Sequence, residues 1–172
     1  MFTTSNRAML IGSVGAGKST LTNALLGRKV EAVKTQSLNY DDWIVDSPGE
    51  YVENPLFYKS IMATALEVTH VLFIQDATNR KVTFPPGFSS GIPKMTIGVV
   101  TKADSEQADV DQAIAKLKKS MVQGPIVVTS SFKQQGTEEI KGFVSCNSYQ
   151  EMKEYYEKVK KPSIFYKESL FK

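Results

Sequence analysis

The chain has 172 residues, 41% hydrophobic and 23% charged, which suits one globular domain large enough to bury its own core. A net charge of +3, carried mostly by scattered lysines, is too mild to point to nucleic acid. The single cysteine, Cys146, excludes a disulfide framework, and neither a signal peptide nor a membrane-length apolar window is evident, so the expected address is cytoplasmic with no membrane partner.

The first predicted strand is Ala8–Ile11, and helical spacing begins at Thr20 and runs to Leu26. Between them stands Gly12-Ser13-Val14-Gly15-Ala16-Gly17-Lys18-Ser19, a complete G-x-x-x-x-G-K-[ST] loop in the strand-to-helix context that gives the pattern its mechanism. Its glycines let the backbone close around phosphates, and the loop N–H groups with the helix N-terminus favour an anion. Lys18 is placed to reach β- and γ-phosphates and is the candidate catalytic cation; Ser19 is placed to ligate Mg²⁺, and Thr20 completes the candidate phosphate site.

A strand over Trp43–Val45 leads into Asp46-Ser47-Pro48-Gly49. An acid at that strand end can hold Mg²⁺ through a water, and Gly49 can offer its N–H to a γ-phosphate, although the four residues also make a good turn. Asn54-Pro55 starts a predicted helix over Leu56–Leu66. His70, the sole histidine, precedes a strand over Val71–Gln75, so a histidine-dependent triad is not expected. Asp76 to Pro93, with Pro85-Pro86-Gly87 and Ser89-Ser90-Gly91, reads as a long surface loop.

The strand Thr96–Val100 is followed by Thr101-Lys102-Ala103-Asp104, and after a helix over Val110–Met121 the strand Ile126–Val128 is followed by Thr129-Ser130-Ser131. Asp104 can accept paired hydrogen bonds from the N1/N2 edge of guanine, which adenine lacks. The Lys102 stem would lie along the base, and Ser130 or Ser131 would offer a backbone N–H to O6. Strand and helix alternate, which predicts a parallel sheet flanked by helices with ligand at the C-terminal strand ends. In the tail, Tyr149, Met152, Tyr156 and Val159 fall at helical spacing until Lys160-Lys161-Pro162, with Ser163–Lys172 expected to fray. A helix packed on the domain is the favoured reading of this tail, and a partner-docking peptide the competing one. The expected division is a nucleotide-binding domain over 1–145 and a helical extension over 146–172.

Taken in order, GSVGAGKS, DSPG, TKAD and TSS resemble the phosphate, Mg²⁺, base and base-support motifs of small Ras-like GTPases. The longer strings MLIGSVGAGKSTL, VKTQS, VDSPGEYVENP, the PPGF loop and IGVVTKAD are similar to the EutP/PduV family, small P-loop proteins associated with ethanolamine and propanediol utilisation and bacterial microcompartments. The resemblance covers residues 7 to 144. It implies an α/β, Ras-like P-loop fold, GTP and GDP as ligands, and Mg²⁺ at Ser19 and Asp46. It also implies a base site built from Thr101, Lys102, Asp104, Ser130 and Ser131, and a microcompartment shell or enzyme as partner.

Three departures qualify that implication. Thr35, the position for a metal-closing switch threonine, stands only 11 residues before Asp46, so the second strand is expected to be short or missing and Thr35 a poor Mg²⁺ ligand. Glu50 follows Gly49 where many members carry a water-orienting glutamine, which makes it the candidate base. Gly15 replaces the asparagine of potassium-activated relatives, so no potassium dependence is expected. Three functions therefore compete: a slow Mg²⁺-dependent GTPase, an ATP-dependent phosphotransferase of acetate-kinase type, and a nucleotide-binding structural or targeting protein with little turnover.

Overall fold

The computed structural model describes residues 2, 4–28, 37–130 and 133–170, and in it the apolar runs become the centre of one sheet. β1 (Ala8–Ile11), β2 (Asn39–Asp41), β3 (Ile44–Asp46), β4 (His70–Asp76), β5 (Met95–Thr101), β6 (Gly124–Val128) and β7 (Ile164–Lys167) lie in the order β2-β3-β1-β4-β5-β6-β7. The five inner strands are parallel, and the two edges, β2 and β7, are antiparallel. The inner strands are almost wholly buried because both faces are covered, which is why they read as continuous apolar runs rather than alternating ones.

Successive side chains nevertheless enter different layers. Met9, Ile11, Val71 and Phe73 point to one core, and Ala8, Leu10, Leu72 and Ile74 to the other. The first core is closed by α3 (Tyr58–Ala65), α4 (Val110–Ser120) and the β4–β5 connection, the second by α1 (Lys18–Leu25), α5 (Thr137–Val144) and α6 (Tyr149–Val159). The four-residue α2 (Glu50–Glu53) follows β3 directly. Helix α3 starts at Tyr58 rather than Leu56 because Asn54 caps a 3₁₀ turn over Pro55–Phe57, its side chain accepting from the Leu56 N–H at 3.0 Å.

The predicted strands are all present within a few residues of their expected bounds. As the Thr35 spacing implied, the second strand is short, three residues long, and it runs against β3. Two expectations need correction. Asp76 to Pro93 is not simply a surface loop: Phe84, Phe88 and Ile92 are buried, and Phe84 stacks on Phe73 with ring centroids 4.8 Å apart. This connection carries no α-helix, so its own aromatic side chains cover the sheet face that a crossover helix ordinarily covers. The end of the tail is not frayed throughout either. After Lys160, in the left-handed region at φ 41°, and Pro162, Ile164–Lys167 pairs with β6 and buries Ile164.

Helix α6 begins where Ser148 accepts from the Glu151 N–H and packs with Met152 fully buried and Tyr149, Tyr156 and Val159 half-buried. The Tyr149 hydroxyl accepts from the Thr96 N–H at 2.9 Å, which ties this helix to the start of β5. Among the described residues, no helix is long and apolar enough to cross a membrane.

Candidate functional site

The phosphate loop lies just past the C-terminal end of β1, where the chain order reverses across the sheet between β3 and β4, and its shape is set by close approaches. A Cβ on Gly12 would sit 2.9 Å from the Ile74 carbonyl, so the loop can lie on β4 only with glycine there. Gly15 and Gly17 hold φ of 79° and 92°, and Gly17 caps α1 in that left-handed conformation. A Cβ on Gly49 would overlap the backbone of Val14, so the turn after β3 is seated directly on the loop.

Lys18 is buried, and its Nζ donates to the Ser13 carbonyl at 3.1 Å. Burial pushes the Lys18 pKa below the ordinary lysine value, while the carboxylates of Asp46 and Glu53 partly hold it up. The Ser19 hydroxyl donates to Asp46 Oδ2 at 3.0 Å, which joins the start of α1 to the end of β3. These are hard oxygen donors of the kind Mg²⁺ takes, and a pair fits an ion that completes its shell with phosphate and water. Among the described residues no cluster of three His, Cys, Asp or Glu forms a metal cage. Ser47 turns inward instead, donating to the Leu10 carbonyl at 2.6 Å.

The second half of the site comes from the ends of β5 and β6. The Thr101 hydroxyl donates to the Ala16 carbonyl at 2.6 Å. Lys102, at φ 60°, reaches back over the loop, its Nζ donating to the Gly15 carbonyl at 2.6 Å and pairing with Asp76 at 2.9 Å. Asp76 is fixed in turn by the N–H and hydroxyl of Thr78, both at 2.7 Å. Asp104 stands exposed beyond a turn in which the Ser105 N–H donates to the Lys102 carbonyl at 3.1 Å. Ser130 is buried, bridged to Gln135 through both backbone groups, and next to Thr129, whose carbonyl accepts from the Ala103 N–H at 3.3 Å.

The loop Gly12–Ser19 with Thr20, the Asp46–Gly49 turn, Thr101–Asp104 and Ser130 thus gather at one end of the sheet, and Lys102 links the glycine-rich loop to the ends of β4 and β5. Glu50 is exposed at the first position of α2. Thr35 and Ser131 lie outside the described residues. Sequence reasoning missed Glu53, whose Oε1 accepts from the Val14 N–H at 3.0 Å. It missed Asp76 as the partner of Lys102 as well. No local pattern marks either contact, since each joins segments distant in the sequence.

The fold and this loop define a P-loop protein of Ras-like architecture. A solved structure of Aquifex aeolicus Era Y63A bound to GDP.AlF4⁻ shares the fold, with TM-score 0.55 and 21% identity over 81% of this chain, which spans 56% of that longer chain. The chain belongs to the PduV-EutP family, described as ethanolamine utilisation - propanediol utilisation, whose model matches residues 5–146. It is 31% identical over 147 residues to the "Probable acetate kinase EutP" of Escherichia coli K12, covering 84% of this chain and 92% of that protein. It is 32% identical over 145 residues to the "Propanediol utilization protein PduV" of Citrobacter freundii, covering 83% and 93%.

Proposed function

We propose that this chain binds guanine nucleotide with Mg²⁺ and hydrolyses GTP slowly, serving ethanolamine or propanediol utilisation in the cytoplasm, at or near a microcompartment shell or enzyme. The observation that carries the reading is Lys18, a buried, desolvated ammonium held only 3.1 Å from its own loop's Ser13 carbonyl. Burying a cation is costly, and polyphosphate is the ligand that offsets the cost at such a loop. Lys18 would exchange that carbonyl for β- and γ-phosphate oxygens. Ser19 and Asp46 would hold Mg²⁺, which when bound supplies positive charge against the phosphates. Gly12–Thr20 would direct backbone N–H groups at the phosphates, Gly49 would meet the terminal one, and Glu50 would orient or deprotonate the attacking water. Thr101 and Lys102 would position the base, Asp104 would accept from guanine N1 and N2, and Ser130 with Ser131 would support O6. Unassisted turnover on the order of 10⁻⁴–10⁻³ s⁻¹ is expected, since no arginine of the chain is an evident internal finger.

Calorimetric titration with GTP, GDP and ATP at one Mg²⁺ concentration tests this. Guanine should be preferred by at least about tenfold, which requires ~1.4 kcal/mol. Asp104→Asn should weaken GTP and improve xanthine nucleotide binding, because an amide donates where the carboxylate only accepts. A preference for ATP overturns the guanine assignment in favour of a phosphotransferase, and tight GTP binding without phosphate release leaves the targeting alternative.

A further inference from the structure

We infer that Glu53 sets the balance between triphosphate and diphosphate at this site, as an internal anion that the terminal phosphate must displace. The inference rests on the nucleotide-binding reading above. Glu53 Oε1 accepts from the Val14 N–H at 3.0 Å, so a carboxylate already holds a loop donor of the kind that P-loops turn toward phosphate. Its charge also acts on Lys18, the cation that the phosphates would engage.

The position of Val14 decides which phosphate competes. The base end is marked by Asp104 and Lys102, whose Nζ touches the Gly15 carbonyl at 2.6 Å. On the nucleotide reading the ligand would run from there past the start of α1 toward Val14, where Gly49 is seated so closely that a Cβ would overlap the loop backbone. Val14 and Gly49 therefore bound the far end of the phosphate path. A diphosphate stops short of it and leaves the Glu53–Val14 hydrogen bond intact. A γ-phosphate brings its charge against the carboxylate, and like charges competing for one N–H repel. Glu53 then has to move. Glu53 itself borders a cavity of about 510 Å³ whose mixed lining includes Lys81, Asn79 and Thr83 beside Val52 and Val82, and Lys81 offers the displaced carboxylate a cation. Glu53 is the last residue of the four-residue α2, outside the sheet, so a change in its side-chain position leaves the strands untouched.

The test is calorimetric titration of the full chain and its Glu53→Gln variant with GDP and with a non-hydrolysable GTP analogue in Mg²⁺. Glutamine keeps the length and the acceptor oxygen but loses the charge, and Glu53 is exposed, so folding is not at issue. The variant should bind the triphosphate analogue about tenfold tighter while its GDP affinity stays within about threefold. Glu53→Ala should do the same and also speed amide exchange at Val14 in the GDP complex. Equal shifts for both ligands, or no shift in either while the wild type binds both, would overturn the inference and leave the nucleotide reading standing. Absence of any nucleotide binding by the wild-type chain would overturn that reading and the inference together.

Discussion

Lys18 is buried at a desolvation cost to the free protein. Its ammonium is buried against one carbonyl, with its pKa lowered by desolvation, and it contributes little to the free fold beyond what its aliphatic stem packs. Lys18→Met keeps the stem and removes the buried charge. The melting temperature of the free protein should be unchanged or higher, whereas nucleotide affinity should fall by roughly 2–5 kcal/mol. Thermal melts with and without GDP check both halves, because the ligand-induced shift should vanish while the baseline holds. The residues of the phosphate loop were legible in the sequence because they are contiguous and their spacing is itself the geometry. Glu53 was not, since its contact with Val14 exists only once α2 has folded back over the loop.

The elements divide by how much apolar signal each carries. Five strands buried on both faces announce themselves; β2 is Asn-Tyr-Asp at an edge, with two of its three residues exposed, and had no such signature. Helix α5 was hidden by its brevity and by Glu138, Glu139, Lys141 and Gly142 among its eight residues. Phe84, Phe88 and Ile92 are spaced four apart, as on a helix, but Pro85-Pro86-Gly87 breaks the turn, so their burial was not visible from periodicity. Gly142 in α5 has a reason that sequence could not supply. A Cβ there would overlap the Tyr155 ring of α6. Alanine would ordinarily gain up to about 1 kcal/mol of helix propensity, but here overpacking should dominate and cost about 1–3 kcal/mol. A lowered urea midpoint for Gly142→Ala, with looser amide protection across 149–159, is the expected outcome.

At the scale of the whole molecule, His70 links stability to pH. It is fully buried at the first position of β4, with Nδ1 2.8 Å from the Thr69 hydroxyl, and burial pushes its pKa down to about 4. The unfolded chain takes up this proton near pH 6.5 and the folded chain does not, so the contribution is intact above 6.5 and is lost as pH falls toward 4. The loss approaches about 3 kcal/mol at the acid end. Urea midpoints between pH 7 and pH 4.5 should fall more steeply for the wild type than for His70→Leu, and parallel slopes would contradict the buried-neutral assignment. The antiparallel strand at the other flank has a consequence in time rather than in energy. Of the seven strands, β7 is synthesised last, and it is the one that covers the open edge of β6. A nascent chain can therefore assemble its phosphate loop and strand-end turns while that edge still offers unpaired N–H and carbonyl groups to a neighbour on the same polysome. Co-translational self-association is the hazard this order of synthesis creates, and release of residues 164–167 ends it.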